Sequence, residues 1–463
     1  MKKNQKKSPV ISRTVYIVSL GCPKNFVDTE VLAGNLLVSG WGITMDPDEA
    51  DVFMINTCAF IPPAREEARE IIGEAVKWKK AKAAKRRIMI CGCLIQWDKK
   101  ETFKADFPEV DIWSGIDQIP NIGALLSSLY APQTEPAGCF LRTDVPKYIY
   151  NEKTPRLKLT LSHIAYIKIA EGCDNRCAYC SIPSIRGGLH SRSIASIKKE
   201  ASDLLADNTR ELIVIAQDVT AFGQDRKGAG ENLAGLIREL DSLEGDYWIR
   251  LLYTHPAHFS DELIDVIAGA KHVLPYIDMP LQHINDGILR RMGRKVTNAE
   301  IRALLEKLRN RIPDIAIRTT FITGLPGEGD AEFEELKDFV KEQKFHRLGV
   351  FGYYPEPGTP AADMADRVST DVAEKRASQI LNIQSKISLK RNKSLVGKTF
   401  DVIVDSINVD YAAGRTYMDA PEIDNQVIIA VDRDIESGEF ARITMTGADI
   451  YELEGEVAEE KHL

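Results

Sequence analysis

Apolar positions recur along this chain in runs short enough for strands, and polar stretches with helical spacing separate them. Residues 14–20 form a β-branched run ended by Gly-Cys-Pro, after which 28–39 has the spacing of a helix. Residues 51–56 read as a second strand, Pro62-Pro63 opens a long charged helix to about Lys85, and 87–90 forms a third strand stopped by Cys-Gly-Cys. This pattern predicts an α/β domain over 13–140. A charged stretch containing Pro146 and Pro155, residues 141–160, reads as a linker. From 161 to 392 strand and helix patterns alternate as they do in a β/α barrel, with strands expected at 165–170, 211–216, 248–253, 276–279, 315–322 and 348–354. Six strands fall short of eight, so a partial (β/α)6 barrel is expected, followed by a polar, periodic helix at 370–392. Over 393–458 the period changes again: 399–404, 414–418, 426–431 and 440–446 are short strands separated by Gly, Asp and Asn turns, which predicts a small β-barrel. The expected fold class is therefore α/β, with an N-terminal α/β domain, a partial barrel and a small C-terminal β-barrel.

A length of 463 residues agrees with about three domains, and 44% hydrophobic with 28% charged residues is the composition of a soluble globular protein. No apolar run approaches the roughly 20 residues of a membrane span. Met1 to Lys7 is basic and precedes the apolar residues 15–20, but that stretch is too short for a signal peptide and no small-residue cleavage site follows. A cytoplasmic location is expected. Eight cysteines are few for a disulfide scaffold, and their placement is uneven. Cys22, Cys58, Cys91 and Cys93 fall in the first hundred residues, Cys139 stands alone, and Cys173, Cys177 and Cys180 crowd one loop. Such clustering points to metal chemistry. The net charge of −8 is also uneven: residues 394–463 carry 16 acidic and 5 basic side chains, so the remainder of the chain is slightly basic.

The loop Glu-Gly-Cys-Asp-Asn-Arg-Cys-Ala-Tyr-Cys places three thiolates at C-x3-C-x2-C spacing directly after the first expected barrel strand. Structural zinc and ordinary iron–sulfur clusters take four ligands, and three leave one position open. The nearest histidine, His190, lies ten residues on, and a thioredoxin-like pair of Cys177 and Cys180 leaves Cys173 unexplained. A [4Fe–4S] cluster with one iron free for a substrate or cofactor fits best. Cys22, Cys58 and Cys93 each lie just past the carboxyl end of an expected strand, the edge of a parallel sheet where ligands bind. Gly21 and Gly92 precede two of them and let backbone approach a bulky group closely. Free cysteines are often merely buried small apolar residues, but three at such turns beside a cluster loop favour a second metal centre. Cys91 is a rival to Cys93, and Cys139 is most simply structural.

The loop resembles the signature of the radical S-adenosylmethionine enzymes. That resemblance implies that S-adenosylmethionine occupies the open iron and that its reductive cleavage yields a 5′-deoxyadenosyl radical. Tyr179 is then placed to face the adenine, and Gln217, Gln282, Arg318 and Gly324 are the expected further cofactor contacts, Arg318 by a bidentate bond to the methionine carboxylate. Ser-Leu-Gly-Cys-Pro-Lys-Asn (19–25), Asn-Thr-Cys-Ala-Phe (56–60) and Gly-Cys-Leu (92–94) resemble one branch of that superfamily, the methylthiotransferases. The likeness implies a second [4Fe–4S] cluster on Cys22, Cys58 and Cys93, and a C-terminal barrel of the TRAM type. It also implies two uses of S-adenosylmethionine, as methyl donor to sulfur and as radical source. Known members modify an adenosine of transfer RNA or an aspartate of protein twelve of the small ribosomal subunit. An acidic C-terminal module repels RNA and attracts a basic protein. Ser-Leu-Gly-Cys-Pro-Lys-Asn and Arg-Leu-Leu-Tyr-Thr-His-Pro (250–256) also resemble the protein-modifying branch. The expected partners are therefore a basic ribosomal protein and an electron-donor protein, without a membrane and without direct RNA binding. A transfer RNA methylthiotransferase is the alternative, and an electron carrier with two clusters is disfavoured because carriers complete four cysteines per cluster.

Overall fold

A computed structural model describes residues 13–82, 85–131, 139–430 and 435–458; the basic stretch Met1 to Lys7 and the expected strand end at Val431 lie outside them. The chain folds into two compact units. One comprises the residues up to Leu159 together with Glu171–Asp174 and Ser181–His190; the other comprises Thr160–Ala170, Asn175–Cys180 and the chain from Ser191 onward.

The first unit is built on a six-stranded, wholly parallel sheet of β1 (Arg13–Ser19), β2 (Trp41–Thr44), β3 (Val52–Thr57), β4 (Arg87–Gly92), β5 (Ile112–Ser114) and β6 (Cys139–Leu141), in the order β2-β1-β3-β4-β5-β6. The strands β2, β5 and β6 are too short to have announced themselves by periodicity. Helix α1 (Pro23–Val38) begins with proline at its first position, where the missing N–H costs nothing. It starts five residues before its apolar spacing suggests. Helix α2 (Pro62–Ala81) likewise opens on proline. Ala68, Ile72, Ala75 and Val76 of α2 bury one stripe in a core that also holds Phe53, Ile55, Ile88, Ile90 and Trp113. Residues 141–159 of the expected linker belong to this unit. Arg156 Nε donates to Glu30 at 3.0 Å, Leu157 N–H to the Glu30 carbonyl at 2.9 Å, and Thr143 Oγ1 to Asp117 at 2.6 Å.

The second unit carries the expected open barrel. In chain order come β7 (Ile164–Lys168), the two-residue strands β8 (Ala170–Glu171) and β9 (His190–Ser191), each with one residue in either unit, and then β10 (Glu211–Ile215), β11 (Trp248–Leu251), β12 (Val273–Asp278), β13 (Ala316–Thr323) and β14 (Arg347–Gly352). Six of these form a parallel sheet in chain order, β7-β10-β11-β12-β13-β14. The helix Thr370–Lys393 then leads to a closed five-stranded barrel of β15 (Thr399–Ile407), β16 (Tyr411–Arg415), β17 (Gln426–Ala430), β18 (Phe440–Ala448) and β19 (Glu452–Val457). The fifth strand, Glu-Leu-Glu-Gly-Glu-Val, was hidden by its acidic residues; they are the solvent face of a strand whose Leu453 enters the core.

Charge joins the two barrels. Glu211, the first residue of β10, binds Arg250 at 2.6 Å and Arg415 of β16 at 2.7 Å, and Arg347, the first of β14, pairs with Asp419. Tyr276 and Arg318 both bind Asp424, at 2.7 and 3.2 Å. The small barrel thus anchors at the N-terminal ends of the parallel strands, and several of its acidic groups serve this junction rather than the surface.

Candidate active site

In the first unit, three thiols meet the carboxyl edge of three adjacent strands. Cys22 caps α1 directly after β1, Cys58 follows β3, and Cys93 opens the short helix α3 (Cys93–Trp97) after β4. Glycine makes the convergence possible. Gly21 holds φ +90°, and a Cβ there would lie 2.5 Å from Cys58 Cβ and 2.8 Å from its Sγ; Gly92 holds φ +95° against the side chain of Asn56. Cys22 is half-buried, while Cys58 and Cys93 are buried. Burial pushes the Cys58 thiol up, and Cys22 adds to that. Burial raises Cys93 to about 12, opposed by Arg186 and reinforced by Cys58 and Cys22. Cys22 thus acts on Cys58, and both act on Cys93, so the three thiols form one electrostatic site. As a donor set they suit an iron–sulfur cluster, which takes thiolates and supplies the positive charge they lack. Cys91 belongs elsewhere: it lies within β4, and its thiol faces the Ile55 carbonyl at 3.5 Å.

The second cysteine loop follows β7 in the chain. Cys173 lies in the first unit, where its N–H bonds the Gly187 carbonyl at 3.1 Å; Cys177 and Cys180 lie in the second. There the Cys180 N–H bonds the Cys177 carbonyl at 3.1 Å, and the Ala178 N–H bonds Met292 at 2.9 Å. Gly293 admits the loop, since a Cβ on it would sit 2.9 Å from the Arg176 carbonyl oxygen. Tyr179 packs with Ala178, Ile288, Met292, Leu325 and Tyr353, and burial with the neighbouring Cys177 and Cys180 thiols keeps its hydroxyl protonated. Its ring is therefore fixed in an apolar wall.

The other expected cofactor residues divide. Gln217 follows β10 and Gln282 follows β12, both at the carboxyl edge of the barrel sheet. Gln282 holds φ +71°, and its buried Oε1 has no hydrogen-bond partner among the described residues. Gly324 follows β13 with φ +77°, where a Cβ would strike Ala373 at 2.3 Å; it lets the helix Thr370–Lys393 approach. Arg318 is committed elsewhere, to Asp278 at 2.8 Å and to Asp424 at 3.2 Å, so its charge is already matched within the chain.

Sequence reasoning missed four further groups: Asp218, His255 and His258, which follow β10 and β11, and Arg294. Asp218 receives hydrogen bonds from Asn175 (2.6 Å), Thr220 (2.6 Å) and His258 Nδ1 (2.8 Å). Burial works against its ionisation, yet the bonds from His258 and Thr220 keep its pKa below the ordinary carboxylate value. His255 stacks on His258 with ring centroids 5.0 Å apart, and donor atoms of Asp218, His255 and His258 lie within 4.8 Å of one another. Burial, then Arg294, lowers His255 to about 3, so it is neutral. The Thr-His-Pro sequence was the available signal. Arg294 donates to the Pro280 carbonyl at 2.6 Å and brings Nη1 to 3.9 Å from Cys177 Sγ.

Family models match each of the three regions of the chain. The model of the radical SAM superfamily matches residues 167–340, that of the uncharacterized protein family UPF0004 matches 14–115, and the TRAM domain matches 396–458. Among solved structures, the chain resembles the radical S-adenosylmethionine methyltransferase TsrM from Kitasatospora setae (TM-score 0.54, 17% identity, 76% of this chain and 75% of that one). It also resembles the cobalamin-dependent S-adenosylmethionine radical enzyme OxsB (TM-score 0.52, 13% identity, 80% and 56%). These likenesses speak for the fold. Sequence relatives go further. The ribosomal protein uS12 methylthiotransferase RimO of Carboxydothermus hydrogenoformans is 43% identical over 443 residues, 95% of this chain and 98% of that protein. The protein of the same name from Geotalea uraniireducens is 41% identical over 454 residues, 97% of this chain and 99% of its own. With identity of this order over almost the whole length, the chain belongs to the RimO family of radical SAM methylthiotransferases.

Proposed function

We propose that this enzyme methylthiolates an aspartate of ribosomal protein uS12, acting in the cytoplasm with two [4Fe–4S] clusters and S-adenosylmethionine. The observation that carries the reading is the second set of thiols: Cys22, Cys58 and Cys93 converge on one sheet edge, apart from the loop of Cys173, Cys177 and Cys180 that a radical SAM enzyme requires. The relatives' name supplies the substrate. When bound, the radical cluster and S-adenosylmethionine supply hydrogen abstraction, and the auxiliary cluster presents the sulfur to be transferred.

The chain's own residues hold and screen these groups. Tyr179 gives the adenine a rigid apolar face, Gln217 and Gln282 offer amides at the barrel edge, and Gly324 lets the helix Thr370–Lys393 pack against the loop after β13. Arg318 acts through the barrel junction, because its guanidinium is matched by Asp278 and Asp424. Arg294 puts positive charge beside Cys177, which stabilises a ligated thiolate. The acidic small barrel supports a basic protein partner over RNA; Asp410, Glu422, Glu436, Asp449, Glu454 and Glu456 are exposed on it. An electron-donor protein must deliver the reducing equivalents.

The deciding experiment incubates the anaerobically reconstituted enzyme with S-adenosylmethionine, a reductant, and either uS12 or transfer RNA, and reads both by mass spectrometry. A methylthio group on an aspartate of uS12 is the expected product. A gain on RNA alone would sink the substrate assignment in favour of the transfer RNA branch.

A further inference from the structure

Arg186 is a buried, multiply bonded cation of the first unit. It ends a five-residue helix, Ile182–Arg186, whose Ile185 packs into the same core as Cys93 and Leu94, and its own surface is 2% exposed. Nη1 binds Asp28 at 2.6 Å and Glu171 at 3.1 Å. Nη2 donates to Asn25 Oδ1 at 3.0 Å, and Asn25 is itself fixed by donating to the Leu20 carbonyl at 2.8 Å. What remains of the fork points at one atom. Nε lies 3.3 Å and Nη2 3.0 Å from Cys93 Sγ.

A buried cation whose two free N–H directions converge on a ligand sulfur has a specific consequence for an iron–sulfur centre. Hydrogen bonds to ligand sulfurs and nearby net charge set cluster reduction potentials, and groups behind a ligand fix its orientation. We propose that Arg186 is a positioning residue for the auxiliary cluster, with Asp28, Glu171 and Asn25 orienting its guanidinium so that it donates two hydrogen bonds to Cys93 and raises the cluster's reduction potential. The inference rests on the reading that Cys22, Cys58 and Cys93 hold that cluster. It gives Asn25, at the end of the Ser-Leu-Gly-Cys-Pro-Lys-Asn motif, a task no ligand count assigns. It also recruits a residue only six positions after Cys180 to the other metal centre.

The test uses the full chain with Cys173, Cys177 and Cys180 all replaced by alanine, so that only the auxiliary cluster contributes. The readouts are iron content and the ratio of reduced to oxidised cluster, followed by electron paramagnetic resonance at fixed ambient potentials. Arg186→Gln is expected to lower that ratio about tenfold at a given potential, equivalent to about 59 mV for a one-electron couple. Arg186→Lys, which keeps the charge but not the fork, should fall between the two. Asp28→Asn removes a negative charge from the same group and should move the ratio the opposite way. Loss of a purely structural contact would not produce opposite signs. An unchanged ratio in Asp28→Asn, or in an iron-loaded Arg186→Gln, overturns the proposal, as does a shift of both in one direction. If the alanine background with Arg186 intact binds no iron, the cluster assignment fails and takes the inference with it.

Discussion

Two cysteines only two positions apart, Cys91 and Cys93, show how backbone geometry separates chemistry from packing. Cys91 is still in β4 and its thiol meets a neighbouring strand; Cys93, past Gly92, is swung into a helix and onto the site. Cys91→Ala should therefore retain full iron after reconstitution, whereas Cys93→Ala should lose about half, checked by iron and sulfide analysis. Histidine protonation gives a second prediction at this scale. Burial, followed by Arg391, Arg347 and Arg309, lowers His346 to about 3, and His255 is lowered to about 3 as well. An unfolded histidine titrates at about 6.5, so between these values the unfolded chain binds more protons and stability falls as pH falls. The loss approaches about 1.4 kcal/mol per pH unit per histidine. The paired carboxylates Glu211 and Asp405, held below their ordinary values, add their own loss only below about pH 4. Urea midpoints at pH 7 and pH 5 should differ accordingly, and His346→Gln should reduce the difference.

At the scale of elements, the site is made by strand ends. β1, β3 and β4 are neighbours in the sheet, and each stops at a turn where the chain must reverse into a helix or loop beside the cysteines. Gly21 is where that demand is sharpest. Gly21→Ala introduces a Cβ into Cys58 and an unfavourable φ, which should cost roughly 1–3 kcal/mol. Denaturant unfolding would show it, together with reduced iron, because Cys58 must move. One of the strands the pattern left out, β19, shows the limit of periodicity. Its alternate glutamates face water and its pairing with β17 is parallel, a non-local arrangement that nothing within six residues specifies.

Across the whole molecule, charge is divided between structure and surface. Asp419 is fully buried and pairs with Arg347 across the junction of the two barrels. Removing it leaves an uncompensated buried guanidinium, so Asp419→Ala should destabilise the second unit by about 3–5 kcal/mol, read from urea unfolding. The acidic groups left exposed on the small barrel give a different expectation. If they draw in a basic protein substrate, the apparent KM for uS12 should rise steeply with added salt while kcat changes little. A salt-independent KM would remove the electrostatic argument for a protein partner.

The sequence by itself determined the positions of both cysteine triplets, the order of β/α elements that places them at strand ends, and the glycines those turns require, because all of these are local. It also carried the family likeness. Only the tertiary structure decided which charges meet. It paired Arg318 with Asp278 and Asp424, turned Asp405, Asp419 and Asp424 inward, and set Arg186 against Cys93, a residue 93 positions earlier. A side chain's period reports the face it occupies. Its partner across the fold is fixed by how the sheets pack, and ion pairs of that kind leave no trace in local spacing.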